Sequence, residues 1–346
     1  MNVGIAGIGF MGMIHYLSYQ KQRGAKVVAL CEQDKTRLAG DWTSIKGNFG
    51  PRGEMMDLSG IAKYERLEDM ISDPKVDLID ICLPPAGHAS TAIKALKAGK
   101  HVFCEKPIAL TSADAKKMVA TAEESGRLLF IGHVLPFFPA YAFIHKMATS
   151  KKYGRLLSGN FKRITADPQW LKHYYDPNVI GGPLLDLHIH DAHFIRLLFG
   201  MPNAVFTTGR MKGEVVEFFN SLFLFDDPSV SVTATSGAIR QQGRSFTSGF
   251  EVHFEKATAI YDFNVIADRA ETSLPLAILT NDGKAQRPEL GSGDPLDGFS
   301  AEIAEVTRCV KAGKPSSILS GDLARDAVVL CNKQTESAKK ARLVKV

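Results

Sequence analysis

At 346 residues, 45% of them hydrophobic, the chain is long enough to bury two cores rather than one. Its 42 Lys and Arg against 37 Asp and Glu leave a net charge of +5 with no basic block, which argues against a nucleic-acid partner, and no apolar run approaches membrane-spanning length. Cys31, Cys82, Cys104, Cys309 and Cys331 are odd in number, far apart and without a C-x-x-C pair, so neither a disulfide framework nor a zinc site is signalled and a cytoplasmic setting is expected.

Up to residue 132, short β-rich runs alternate with helical stretches, the pattern of βαβ units and a parallel sheet. Strands are predicted over 2–6, 26–31, 78–82, 101–104 and 128–131. Helices are predicted over 12–22, over 89–98 closed by Gly99, and over 112–125 closed by Gly126. Beyond Gly154 the character changes to alternating β-branched and aromatic runs, 156–165, 215–225 and 230–235, which predict an antiparallel sheet built by hairpins. One helix, 184–199, interrupts it, and two more follow near 299–311 and 323–340. Phe299, Ile303, Val306 and Val310 form the core-facing stripe of the first of these. The expected fold is therefore α/β plus α+β: a Rossmann domain over 1–132, with the 320–340 helix as a candidate to pack back on it, and an antiparallel-sheet domain over 133–346.

Gly7-Ile8-Gly9-Phe10-Met11-Gly12 follows the first strand and opens a helix. Gly7 permits the tight turn, Gly9 lets backbone approach a pyrophosphate, and Gly12 lets helix and strand pack closely, with the helix start stabilising phosphate charge. Glu32, twenty residues past Gly12, is placed to accept ribose hydroxyls and repel a 2′-phosphate. Asp34 competes for that role, and Gln33 and Arg37 could accommodate a phosphate, so NAD is preferred with NADP as the alternative. Glu105-Lys106-Pro107 ends the fourth strand, where ligands of open α/β sheets bind. The proline restricts the lysine's backbone.

Three segments resemble the glucose-fructose oxidoreductase, inositol dehydrogenase and rhizopine-catabolism (Gfo/Idh/MocA) family. They are Gly7 to Gly12, then Asp80-Ile81-Cys82-Leu83-Pro84-Pro85-Ala86-Gly87-His88 leading to Glu105-Lys106-Pro107, and Gly181-Gly182-Pro183-Leu184-Leu185-Asp186-Leu187-His188-Ile189-His190-Asp191. The resemblance implies a Rossmann domain, an open-faced antiparallel sheet that joins copies into a homodimer or homotetramer, and a sugar or cyclitol substrate. It assigns catalysis to Lys106, Asp186 and His190, and cofactor contact to Pro84, Pro85, His88 and Glu105 besides the glycine loop. His133 is a candidate substrate contact. Pro136 and Pro183 depart from the family pattern without touching Lys106, Asp186 or His190.

The same residues make chemical sense on their own. On one helix over 184–199, Asp186, His190 and His193 fall at i, i+4 and i+7 and share a face, which also makes His193 a candidate substrate contact. Oxidising a secondary alcohol needs a base such as His190, and Lys106 can stabilise alkoxide charge with Asp186 orienting it. Trp170, His173, Tyr174 and Tyr175 precede the glycine pair, and Trp170 and Tyr175 are candidates to line a sugar pocket. No metal is expected, because His188 points about 200° away from His190 on a helix. Cys104 reads as a buried strand residue. Arg240 and Arg244 sit in a polar stretch that could meet an anion. An oxidoreductase is expected, against a non-catalytic sensor of the same fold or a hydrolase that uses NAD transiently.

Overall fold

The computed structural model describes residues 1–291 and 293–346 and divides into two compact units. The first, Met1–Phe138 with Ser292–Arg325, is built on a six-stranded parallel sheet of order β3-β2-β1-β4-β5-β6. In chain order it contains β1 (Asn2–Ala6), α1 (Phe10–Gln20), β2 (Lys26–Cys31), α2 (Lys35–Ala39), β3 (Ala62–Tyr64), α3 (Leu67–Ser72), β4 (Leu78–Ile81), α4 (His88–Lys97), β5 (His101–Glu105), α5 (Ser112–Ser125) and β6 (Leu129–Gly132). The five predicted strands are present, and β3 is an added short edge strand. The register pairs Ala6 with Cys31 and Ile81, Ile81 with Cys104, and Glu105 with Gly132, so the carboxyl ends of these strands line up along one edge. That edge is where a doubly wound sheet receives its ligand.

The second unit, Pro139–Gly291 with Asp326–Val346, opens with α6 (Pro139–Ser150) and β7 (Leu156–Ala166). It continues through a π-helical turn (Leu184–His188), α7 (Ile189–Phe199), β8 (Ala204–Lys212), β9 (Val215–Leu224), β10 (Ser231–Ile239), β11 (Arg244–Phe254), β12 (Ala257–Ile266), β13 (Arg269–Thr280) and β14 (Ala285–Gln286). The chain then supplies α8 (Pro295–Ala312) to the first unit, runs through α9 (Gly321–Lys340) and ends in β15 (Val344–Lys345). The nine strands of the second unit are ordered β14-β13-β12-β11-β7-β10-β9-β8-β15. One pair departs from the antiparallel expectation: β7 and β10 run parallel. They are joined not by a hairpin but by a passage through α7, β8 and β9, long enough for a crossover.

It is α8 that completes the first unit's core. Asp294 caps it by accepting the Leu296 N–H at 2.9 Å, Pro295 occupies its first turn, and Gly313 closes it in the left-handed region. Its Phe299, Ile303, Val306 and Cys309 are buried among α1 and the sheet, each large apolar side chain stabilising by roughly 1.5–3 kcal/mol. Val310, the last residue of the predicted stripe, is partly buried beside them. The helix predicted near 320–340 reaches the first unit only through Arg325; from Asp326 onward it belongs to the second.

Candidate active site

The glycine loop closes β1 onto α1. Gly7 has φ of +95°, and a Cβ there would lie 2.8 Å from the Cys82 carbonyl oxygen; at Gly12 it would lie 2.0 Å from that of Gly7. The fold itself therefore demands both glycines. Gly9 is different. A Cβ there would meet nothing within 4 Å, yet Gly9 is the N-cap of α1, with no side chain capping the helix and no acidic residue in its first turn. Since the first intrahelical bond runs from the Met13 N–H to the Gly9 carbonyl, the N–H groups of Phe10, Met11 and Gly12 lack intrahelical acceptors. Open space before an eleven-residue helix terminus suits a pyrophosphate. The Phe10 ring itself packs edge-on against Phe49 at 4.8 Å.

Glu32 stands at the end of β2 and accepts the N–H groups of Ile8, Gln33 and Asp34 at 2.7, 2.7 and 3.1 Å. A carboxylate offers about four lone-pair sites, so capacity for a ribose hydroxyl remains. Asp34 is committed elsewhere, capping α2 through the Thr36 and Arg37 N–H groups. Arg37 donates to the Ile8 carbonyl at 3.2 Å and lies 3.6 Å from Asp34. With the acid facing the loop and the nearby cation tied down, the residues present fit NAD.

After β4, Pro85–Gly87 forms a 3-10 turn that ends at His88. His88 is buried, with its ring nitrogens 2.7 Å from the Leu83 carbonyl and 2.8 Å from that of Pro107, so it clips this loop to the one after β5. Glu105 is also buried, one oxygen against His15 and the other accepting the Lys106 N–H at 3.0 Å. The Lys106–Pro107 peptide is cis, and Lys106 is partly exposed between buried neighbours. His133 follows β6 and is buried.

In the second unit, Gly181 and Gly182 take positive φ of 89° and 69°, and a Cβ on them would meet Leu185 at 2.6 Å and Val215 at 2.9 Å. The single helix expected over 184–199 is in fact a π turn followed by α7, an arrangement frequent at functional sites. Of residues 181–195, only Asp186 and His190 are not buried. His193, predicted to share their face, is buried, three residues after His190 on α7, whereas Asp186 lies in the π turn. His188 is likewise buried, its ring edge-on to Phe219 at 5.0 Å and 3.1 Å from the Gln334 amide. Asp191 receives a two-pronged Arg163 at 2.7 and 3.1 Å, a buried pair that fixes α7 to β7.

The aromatic stretch flanks this segment. Tyr174 is buried, and its hydroxyl pKa is raised by that burial and by the charge of Asp186. Tyr175 donates to Asp167 at 2.8 Å beneath the Lys212 ammonium, 3.6 Å from the ring centroid, while Trp170 is 76% exposed. A hollow of about 330 Å³ runs along Asp167, Gln169, His173, Tyr175 and Lys212. Arg240 lines an adjoining hollow of about 380 Å³; Arg244 is taken up by Thr247 and Asn264.

Sequence reasoning passed over one constellation in the first unit: His15, Asp80, Cys82, Glu105 and Glu302. Its signal was a charged or polar residue inside apolar runs, as in Leu78-Ile79-Asp80-Ile81. Ligand-type atoms of His15, Asp80 and Cys82 lie within 4.8 Å of one another, but the imidazole nitrogens already face carboxylates and burial pushes the Cys82 thiol up.

Residues 1–133 match the family model described as "Oxidoreductase family, NAD-binding Rossmann fold", and residues 141–260 match "GFO/IDH/MocA C-terminal domain". The chain is 26% identical over 352 residues to the myo-inositol 2-dehydrogenase of Thermotoga maritima, covering 100% of this chain and 98% of that protein. To the 1,5-anhydro-D-fructose reductase of Ensifer adhaerens it is 28% identical over 275 residues, 75% of this chain and 77% of that one. Among solved structures, levoglucosan dehydrogenase in complex with NADH and levoglucosan superposes with a TM-score of 0.80 at 22% identity, covering 100% and 99% of the two chains, a likeness of fold. With a matching model on each unit, in order, and a glycine loop and Glu32 shaped for a dinucleotide, the chain belongs to the Gfo/Idh/MocA family of NAD-binding oxidoreductases.

Proposed function

We propose that this oxidoreductase transfers a hydride between nicotinamide and a hydroxyl or carbonyl of a sugar, sugar acid or cyclitol, with proton transfer through His190 and Lys106. The observation that carries the reading is the selective exposure of Asp186 and His190 within an otherwise buried segment, together with a partly exposed lysine on the cofactor edge of the parallel sheet. The relatives named for inositol, anhydrofructose and levoglucosan fit the substrate class.

Bound NAD supplies the hydride acceptor or donor. The α1 terminus and glycine loop would hold its pyrophosphate, Glu32 a ribose, and Pro84 and Pro85 would lie along it. In the oxidative direction His190 takes the hydroxyl proton. Lys106 donates a hydrogen bond to the oxygen as alkoxide charge develops, and Asp186 orients the substrate. Trp170 and Tyr175 offer aromatic faces to sugar C–H groups. The interior positions of His133 and His193 suit support of the surrounding backbone rather than direct contact.

The open sheet face carries Phe206, Leu222 and Leu224, each 37% exposed, and fits a homodimer or homotetramer contact. Five free cysteines, four of them buried, fit the cytoplasm. Among the described residues, no helix is long and apolar enough to cross a membrane.

Titration with NAD and NADP followed by a sugar and polyol panel, monitored for NADH, tests the reading. Lys106→Ala and His190→Ala are each expected to lower kcat by about 10²–10⁴-fold. Failure to bind either dinucleotide, or full turnover in both variants, would overturn it. Turnover without accumulating NADH would favour a hydrolase that only borrows the cofactor.

A further inference from the structure

Beneath the carboxyl edge of the parallel sheet lies a group of ionisable side chains that no step above uses. His15, on the second turn of α1, is 0% exposed. Its Nδ1 lies 2.9 and 3.1 Å from the two Asp80 oxygens on β4, and its Nε2 lies 3.1 Å from Glu105 Oε1 on β5. A neutral imidazole carries a proton on one nitrogen only, and an ionised carboxylate can only accept. Both bonds are made together only by the imidazolium. The ring also stacks on Phe103, centroids 5.1 Å apart and planes within 8°, which fixes its orientation.

The other oxygen of Glu105 accepts the Lys106 backbone N–H, so an unbroken chain of contacts runs from Asp80 through His15 and Glu105 to the main chain of Lys106. Gly132, beside Glu105 on β6, leaves that carboxyl just enough room: a Cβ there would approach it to 3.3 Å. Around His15 also stand the Cys82 thiol at 3.4 Å and Glu302 on α8, while the Tyr19 hydroxyl, one turn along α1, neighbours Asp80. Glu302 is 0% exposed with neither oxygen hydrogen-bonded. A third carboxylate there, unpaired and buried, is untenable, and burial followed by repulsion from Glu105 keeps Glu302 protonated. With Glu302 neutral, the imidazolium and the Lys106 ammonium balance Asp80 and Glu105.

We propose that His15, held as an imidazolium between Asp80 and Glu105, is a positioning residue for Lys106. It fixes Glu105, and Glu105 fixes the backbone from which the lysine projects. A divalent cation in the same place would require His15 to lose its proton and would leave Glu105 without its partner. The inference rests on Lys106 taking part in proton transfer, and it adds what holds that lysine in register. Burial opposes the imidazolium, but the Asp80 charge and hydrogen bond outweigh it, so the His15 pKa stands well above that of free histidine.

Nitrogen-15 NMR of the histidine side chains of the intact protein at pH 8 is the first test. The His15 signal, assigned by its loss in His15→Gln, is expected to be that of an imidazolium; a neutral His15 at pH 8 overturns the proposal. The second test uses Glu105→Gln, which preserves shape while removing the charge. Its kcat is expected to fall on the order of 10²-fold, the scale of a misplaced catalytic group, with KM within about twofold. After reductive methylation with carbon-13 formaldehyde, the Lys106 signal, assigned by its loss in Lys106→Arg, is expected to shift in Glu105→Gln without cofactor or substrate. Unchanged kcat and an unchanged Lys106 signal overturn the positioning role, as does a rise in KM alone. Lys106→Ala separates the two ideas: if it keeps full turnover, the parent reading falls, whereas if it is inactive and Glu105→Gln is not, only the role of His15 falls.

Discussion

Both units bury histidines completely, and two of these, His15 in the first and His188 in the second, are held in opposite states. His15 lies between Asp80 and Glu105 in the first unit. His188, in the second, meets Phe219, Phe223 and the Gln334 amide. Its acidic neighbour Asp191, at 3.9 Å, is already claimed by Arg163. Burial pushes the His188 pKa down to about 4, so it is neutral near pH 7, while at His15 the same burial is overcome by Asp80. Desolvation sets the default state of an interior imidazole, and only an uncommitted carboxylate within hydrogen-bond reach reverses it.

The harshest way to break the comparison is to substitute each histidine by leucine. His15→Leu strands two buried carboxylates and is expected to destabilise the first unit by about 3–5 kcal/mol. Urea unfolding followed by hydrogen exchange on peptides of β1, β4 and β5 measures it; two units need not unfold together, so a local probe is required. A cost under about 1 kcal/mol would mean that His15 carries no charge.

How much of this was legible follows from where the partners lie in the chain. The glycine loop, Glu32, Lys106, Asp186 and His190 could be named as candidates because each sits in a short motif that is contiguous in the chain. The His15 network could not be: its partners lie 65 and 90 residues away and meet only through the strand order β1-β4-β5. Glu105 was expected to touch cofactor, and the structure turns it inward, since strand position alone does not reveal which neighbour claims a carboxylate. The π turn at 184–188 was missed because a helical apolar pattern does not distinguish i+4 from i+5 bonding. His193, expected beside Asp186 and His190, is buried while they are not.

The pH dependence of the two units should run in opposite directions. A histidine whose folded pKa is raised, as at His15, contributes stability that is present below the unfolded value of about 6.5 and lost as pH climbs through the folded value. His188 is the reverse case. Its folded pKa of about 4 means the unfolded chain binds a proton that the folded unit refuses, so stability present above about pH 6.5 drains away toward pH 4. Over that window the second unit is expected to lose about 3 kcal/mol from this group. Hydrogen exchange of β9 and α9 peptides at pH 7 and pH 4.5 checks it, and equal protection at both contradicts a neutral His188.

The smallest effect is the most discriminating. At pH 7, His188→Leu removes one neutral hydrogen bond to Gln334, whose amide still reaches Ser221 Oγ at 2.8 Å, and keeps the apolar contact with Phe219 and Phe223. The expected cost is about 1 kcal/mol. At pH 4.5 wild type must admit a charge into an aromatic interior or hold an imidazole neutral below its solution pKa, and leucine faces neither demand. The two stability curves should therefore cross, with the variant ahead by about 1 kcal/mol at pH 4.5. Parallel curves would show that His188 does not titrate between the folded and unfolded states, and the contrast with His15 would then reduce to hydrogen bonding rather than charge.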